Sequence, residues 1–264
     1  QAQLQLHKRT TGDDKYILLN PHGDNLGLHT IPEPSEGDLF FDIEGNPLYP
    51  EGLEYLFGIY SIEKGIPNFK DIWAHNHPDE KRSFKELISF FIERLDQFPD
   101  MHIYHYASYE ETAVKRLMSK YGIMEFEVDR LLRGKVFVDL YKVVTHSLQT
   151  SEPSYSIKNI ETFYMTKRQS EVKTASASIV YYERYIESHD QKWLNDIKSY
   201  NLEDCKSLLL LRDWLLKLRQ NVDRPSIPAP EPDEPSENRL QQERQIREFE
   251  LALTSTLPDD ESLY

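Results

Sequence analysis

The stretch Leu39-Phe40-Phe41-Asp42-Ile43-Glu44 constrains this chain more than any other. Its apolar start reads as a buried strand. Strand side chains alternate between faces, so Asp42 and Glu44, two apart, point the same way. Two carboxylates leaving one face of an apolar strand are costly unless a cation neutralises them. Hard divalent metals take oxygen ligands, and Mg²⁺ commonly sits on one or two carboxylates plus substrate phosphates. Taken alone, the pair also fits a strand that ends in a solvated acidic turn, because Gly45, Asn46 and Pro47 follow. What separates the two readings is whether matching ligands lie downstream.

Two segments supply candidates. Met101 to Tyr106 has the character of a short strand, with Ser108 as N-cap of a helix running to about Lys120. Glu110 and Glu111 then fall in the first turn, where negative charge suits the helix dipole. Further on, residues 190 to 218 keep a helical apolar period through Trp193, Ile197, Leu208, Leu211, Leu215 and Leu218. Tyr200 and Asp204, four apart in Tyr-Asn-Leu-Glu-Asp, share one face of that helix near the core. An Asp on such a face needs a partner, and a metal shared with Asp42 and Glu44 would be one. The bland counterparts are a good first-turn Glu and a helix-surface Asp beside a packed Tyr.

The order of these three motifs resembles the DEDD exonuclease superfamily in its tyrosine-containing branch. That branch has Asp-x-Glu on a first strand, then Asn or His followed five residues later by an aromatic-acid pair, then Tyr-x-x-x-Asp on a last helix. The matching residues are Asp42 and Glu44, then His105 with Tyr109-Glu110, then Tyr200 and Asp204. The second motif usually ends in Asp; Glu110 carries its carboxylate one methylene farther. Phe-Phe-Asp-Ile-Glu-Gly-Asn-Pro, His-Tyr-Ala-Ser-Tyr-Glu, Ser-Tyr-Ser-Ile-Lys-Asn-Ile-Glu and Tyr-Asn-Leu-Glu-Asp-Cys look like the internal RNase H-like domain of RecB-like nuclease/helicase proteins. The likeness covers roughly residues 1 to 220.

The resemblance implies an α/β fold of the RNase H-like type, a mixed β-sheet flanked by α-helices. It implies two Mg²⁺ or Mn²⁺ ions on Asp42, Glu44, Glu110 and Asp204, with Tyr200 orienting the attacking water. The reaction would be 3′-to-5′ hydrolysis of nucleic acid, single-stranded DNA before RNA. RecB-like nuclease and helicase domains of the same polypeptide would be its partners. Around the site, His105, Tyr109, Asp139 and Lys158 are expected to touch substrate or support the ligands. Asp139 closes the strand-like Val-Phe-Val-Asp, and Lys158 lies in the family-like Ser-Ile-Lys-Asn segment. The alternative is a catalytically degenerate module that binds nucleic acid or a helicase. A paired-carboxylate glycosidase leaves Tyr200 and Asp204 unexplained.

Net charge is −14, against the basic face common in nucleic-acid binders. Residues 221 to 264 carry 4 basic against 11 acidic side chains, hence half of that excess. Basic residues cluster locally at Lys115, Arg116 and Lys120, at Arg130, Arg133 and Lys135, and at Lys158, Lys167, Arg168 and Lys173. Weak binding by this segment alone is expected, with neighbouring domains supplying most phosphate contacts. The one cysteine, Cys205, excludes an internal disulfide framework and reads as helix packing in a reducing cytoplasm. No apolar run approaches the roughly 18 residues of a membrane span, and no signal-peptide pattern opens the chain. The first residue is Gln, which fits a fragment or a processed chain.

Residues 1 to 37 read as an irregular arm joining a preceding domain, with turns at Asn20 to Asp24 and Ile31 to Pro34. The RNase H-like domain is expected over 38 to 220. Its strands are Leu39 to Ile43, Tyr55 to Glu63, Asn68 to Trp73, 101 to 106 and Val136 to Asp139, with a hairpin turn at Lys64-Gly65. Helices are expected at about 80–98, 109–120, 125–132, 156–164, 176–187 and 190–219. Pro225 to Pro235 reads as a semi-extended linker and Glu237 to Leu253 as a helical tail. His75-Asn76-His77 invites an HNH-nuclease reading, but three letters cannot make that fold, and the triplet sits where a strand gives way to a helix.

Overall fold

The structure, a computed structural model, describes residues 1–19, 27–165 and 175–219. The chain divides into two units, Gln1–Arg224 and Pro225–Tyr264, and every described residue belongs to the first. The expected Pro-rich linker and helical tail, the turn at Asn20 to Asp24 and the cluster Lys167, Arg168 and Lys173 lie outside the described residues.

Helix α1 (Ala2–Thr11) and strand β1 (Tyr16–Leu18) come first, then a 3₁₀ turn at Gly27–Thr30. Three strands follow, β2 (Leu39–Asn46), β3 (Leu53–Glu63) and β4 (Ile66–Trp73). Helix α2 (His77–Gln97) leads to β5 (Ile103–His105), α3 (Tyr109–Tyr121), α4 (Glu125–Arg133) and β6 (Phe137–Asp139). Helix α5 (Leu140–Ser147), strand β7 (Leu148–Thr150) and the short α6 (Ile157–Ile160) precede a 3₁₀ turn at Glu161–Phe163. Helices α7 (Ala175–Ser188) and α8 (Gln191–Arg219) complete the described fold.

The five-stranded sheet has the order β4-β3-β2-β5-β6. β4, β3 and β2 are antiparallel neighbours, whereas β5 and β6 run parallel to β2. This is the mixed, helix-flanked sheet that the motif order implied. The β3–β4 turn is the expected Lys64-Gly65, with φ of 52° and 80°. Both central residues of a type I′ hairpin turn need positive φ, and the glycine accepts it without strain.

Alternation along β2 sorts the core into two layers. Leu39, Phe41 and Ile43 pack with Phe84, Leu87, Ile88 and Phe91 of α2 and with Val114 and Leu117 of α3. Phe40 points the other way and packs with Cys205, Leu208, Leu211 and Leu215 of α8. Each such side chain, fully buried, contributes about 1.5–3 kcal/mol. Asp42 and Glu44 have the parity of Phe40, so the same alternation turns both toward α8.

Several elements depart from expectation, helix α1 and strand β7 among them. The arm is not irregular throughout: β1 pairs antiparallel with β7, and Tyr16 meets Phe163 and Trp214 edge-on at 5.4 and 5.3 Å. A strand of three residues shows no readable period. Helix α5 was not expected; Asp139 caps it, accepting from the Tyr141 N–H at 3.0 Å. The helix expected over 156–164 is four residues of α6 followed by the 3₁₀ turn.

Candidate metal centre

Asp42, Glu44 and Asp204 each offer a carboxylate oxygen, and these atoms all lie within 4.8 Å of one another. Glu44 and Asp204 are buried, and Asp42 is half-buried. The two ends of the chain reach this point for local reasons. A β-bulge follows Glu44: Glu44 pairs with Leu56, but Gly45 pairs with Glu54, leaving Tyr55 out of the ladder. Bulges bend a strand and re-aim side chains, and they recur beside active sites. On α8, Ile197, Asn201, Asp204 and Leu208 recur at helical spacing on the buried face.

Two of the carboxylates accept hydrogen bonds from uncharged donors. Asn201 Nδ2 donates to Asp42 Oδ2 at 2.7 Å. Gly58 lies directly opposite Asp42 on β3, and a Cβ there would fall 1.6 Å from Asn201 Oδ1. Glycine at 58 is what lets the amide reach across. Ser178 of α7 donates to Glu44 Oε2 at 2.8 Å and also hydrogen-bonds the hydroxyl of the bulged Tyr55. Burial, reinforced by the Asp204 charge, pushes the Glu44 carboxyl up to about 8; Ser178 and the Lys158 charge pull it down. Carboxylates so close together in a low-dielectric site favour a bound divalent cation. Three carboxylate oxygens suit Mg²⁺ or Mn²⁺ better than a soft metal.

Tyr200, one turn before Asp204, is buried, and its hydroxyl accepts a hydrogen bond from Lys158 Nζ at 2.5 Å. The motif Tyr-x-x-x-Asp and the lysine of α6 therefore meet at the triad.

Glu110 is not a member of the triad. It lies in the first turn of α3, whose Val114 and Leu117 pack with Leu39, Phe41 and Ile43 of β2. The His105 ring meets Phe137 edge-on, and Nδ1 stands 3.5 Å from Glu110 Oε2. Both residues are buried, and neither that oxygen nor either ring nitrogen makes a hydrogen bond. Burial pushes the Glu110 carboxyl up, with His105 pulling it back. Ser108 is the N-cap by position, without a side-chain cap bond.

Asp139 accepts from the Ala107 N–H at 2.8 Å as well as capping α5. Ala107 has φ of 67°, in the left-handed region that costs a residue with a Cβ. Asp139 thus fixes the turn that delivers Glu110. Tyr109 is turned to Glu54, donating to its carboxylate at 3.0 Å, and Arg116 pairs with the same group. A Cβ on Gly45 would lie 2.7 Å from that phenol oxygen.

The remaining motifs have structural roles. Asn76 caps α2, accepting from the Asp79 N–H at 2.9 Å, His75 stacks on Tyr182, and His77 faces the Pro50 carbonyl. Cys205 donates to the Gly58 carbonyl, and burial holds its thiol protonated. Ser178, Asn201, Tyr55 and Gly58 were not singled out from sequence. Asn201 carried a signal, an amide on the buried face of a helix; Ser178 carried none.

Among the described residues no helix is long and apolar enough to cross a membrane. Comparison with curated proteins and with solved structures finds no match. The family described as the RNase H superfamily matches residues 39–216. That match opens on the first residue of β2 and ends within α8, spanning every element that carries the triad; the chain belongs to the RNase H superfamily.

Proposed function

We propose that this chain is a metal-dependent 3′-to-5′ exonuclease acting on nucleic acid, with single-stranded DNA favoured over RNA. The observation that carries the nuclease reading is the convergence of Asp42, Glu44 and Asp204 within 4.8 Å in an RNase H-like sheet. These three would hold a divalent ion, and Glu110 is the ligand that the DEDD resemblance assigns to a second. Ions held there supply a water of lowered pKa and a countercharge for the leaving oxygen. The chain's own residues do the rest. Asn201 and Ser178 fix two of the carboxylates in place. Tyr200 offers a phenol beside them, suited to hydrogen bonding at the reacting phosphate. His105 orients Glu110, and Asp139 holds the turn before it.

End direction, preference for DNA and membership of a larger nuclease/helicase polypeptide rest on resemblance. The rival reading, a binding module without catalysis, is favoured by one observation: the carboxylate cluster among the described residues comprises Asp42, Glu44 and Asp204 without Glu110. Single strands, duplexes and RNA, each labelled at either end and incubated with Mn²⁺ or Mg²⁺, separate the two. Stepwise shortening from the 3′ end supports the proposal. Strand binding without any cleavage in either metal supports the module.

A further inference from the structure

We propose that the exposed side of α5, led by Tyr141 and Lys142, is a subsite for an unpaired nucleic-acid strand, where the Tyr141 ring stacks on a base some nucleotides away from the bond to be cut. This deepens the nuclease reading above and rests on it for the place of cleavage.

Sheet geometry puts α5 beside the triad. β2, β5 and β6 run parallel, so their carboxyl ends open on the same side. Ligands of such sheets sit outside those ends. Phe40, Tyr104 and Val138 stand in one row across the three strands. Two residues farther on come Asp42 on β2 and, after β6, the start of α5. Neighbouring strands lie about 4.7–4.9 Å apart, so two spacings separate Asp42 from the head of α5 by about 10 Å. A stacked strand covers that span in about three nucleotides. Leu140, Val143 and Val144 of α5 pack in one core cluster with Phe40, Leu208 and Leu211, on the side of the sheet that α8 covers.

The chemistry of this helix face fits a strand. Tyr141 is 38 % exposed, and its ring meets Tyr106 at 5.6 Å and nearly at right angles. A perpendicular contact covers at most one face of a ring, which leaves a flat apolar surface for a base. An unpaired base can lie on it, whereas the bases of a duplex are already stacked. The Tyr141 backbone is fixed, because its N–H donates to Asp139 at 3.0 Å. Lys142 follows, with a side chain 67 % exposed and a surface contact to Asp139 at 3.6 Å. Such a pair in water is weak and yields readily to a phosphate. The Lys115 contact, with the charges of His105 and Lys142, holds the Glu111 carboxyl low, so Lys142 is close enough to act on the first turn of α3. Within a chain of net charge −14, α5 reads Leu-Tyr-Lys-Val-Val-Thr-His-Ser and carries no carboxylate. A polyanion can approach there without local repulsion. Aromatic rings with cations beside them make single-strand sites that tolerate any sequence.

The alternative is a tyrosine that only packs on Tyr106. Strands of two lengths separate the two. Steady-state cleavage of an oligo-dT dinucleotide and decanucleotide in Mn²⁺ is measured for wild type, Tyr141→Ala, Tyr141→Leu, Tyr141→Phe and Lys142→Gln. Fluorescence anisotropy in Ca²⁺ reads binding of the decanucleotide at several salt concentrations, and melting temperature is measured on the same proteins. The subsite predicts a roughly 10-fold rise in KM for Tyr141→Ala on the decanucleotide, the scale of one lost base–ring stack. The change should be much smaller on the dinucleotide, which is too short to reach α5. Tyr141→Phe keeps the ring and should restore the KM. Lys142→Gln should lower the salt slope of binding by about one. Where Tyr141→Ala melts early, Tyr141→Leu still covers Tyr106 without offering a flat ring and reads the same loss. A Tyr141→Leu protein that binds and cleaves the decanucleotide like wild type, or equal losses on both lengths, overturns the subsite and leaves the nuclease reading standing. Binding that depends on Tyr141, in a chain that cleaves no strand, keeps the subsite and overturns the nuclease reading.

Discussion

Asn201 Nδ2 and Asp42 Oδ2 meet at 2.7 Å across the face of the sheet, through the space that Gly58 leaves open. Helix α8 is therefore docked on β2 by a hydrogen bond to a candidate metal ligand as well as by apolar packing. Gly58→Ala should break that contact. Its methyl collides with the amide, and overpacking of this kind costs about 1–3 kcal/mol. Thermal unfolding should show the loss, and Mn²⁺ affinity should fall with it. A variant that melts and binds Mn²⁺ like wild type would show that the amide does not need this space.

Ser178→Ala removes the donor to Glu44 Oε2. The carboxylate form of Glu44 is then stabilised less, so the side chain holds its proton more tightly. Supporting contacts of this kind are worth roughly 10–100-fold in metal affinity. Mn²⁺ titration at neutral pH should show a loss on that scale, and raising the pH should recover part of it. Tyr55→Phe, which removes the hydroxyl beyond Ser178, should cost less.

Glu44 also sets a pH dependence. Its carboxyl moves from the usual 4.5 up to about 8 in the folded chain. Between those values the folded state binds more protons than the unfolded state, so metal-free stability falls as pH rises. Stability from this group is full below about 4.5 and is lost as pH passes through 8. Mn²⁺ should reverse the sign, because binding needs the carboxylate and releases the proton. Denaturant unfolding at several pH values, with Mn²⁺ and with chelator, checks both slopes. Parallel slopes would remove Glu44 from the metal site.

Glu110→Gln tests the residue that stands apart. It lies outside the carboxylate cluster, so the first Mn²⁺ should bind with wild-type affinity. Cleavage should be lost, as the resemblance makes Glu110 a ligand of the second ion. Paramagnetic resonance of free Mn²⁺ gives the affinity, and strand digestion gives the activity. Full cleavage by the variant would leave the triad as the whole site.

The sheet and the triad were legible because each rests on periodicity. Alternation in Phe40-Phe41-Asp42-Ile43-Glu44 fixes which face the carboxylates leave, and the helical repeat from Ile197 to Leu208 fixes which face Asp204 takes. The ligand supports were illegible for the converse reason. Ser178 reaches Glu44 only because a bulge displaces Tyr55 and α7 crosses the strand end there. No local pattern records either event. Glu110 follows the same logic: motif order says that it comes near the site, but the packing of α3, which no local pattern records, decides how near. Strand β1 and helix α5 are too short, or too dependent on a cap such as Asp139, to announce themselves.

The central claim is that Asp42, Glu44 and Asp204 together bind a divalent cation. Calorimetric titration of Mn²⁺ into wild type, Asp42→Asn and Asp204→Asn tests it most directly, with circular dichroism to confirm that all three are folded. The account predicts a saturable binding heat in wild type that is lost in both variants. No heat in wild type, or the same heat in all three, would contradict it.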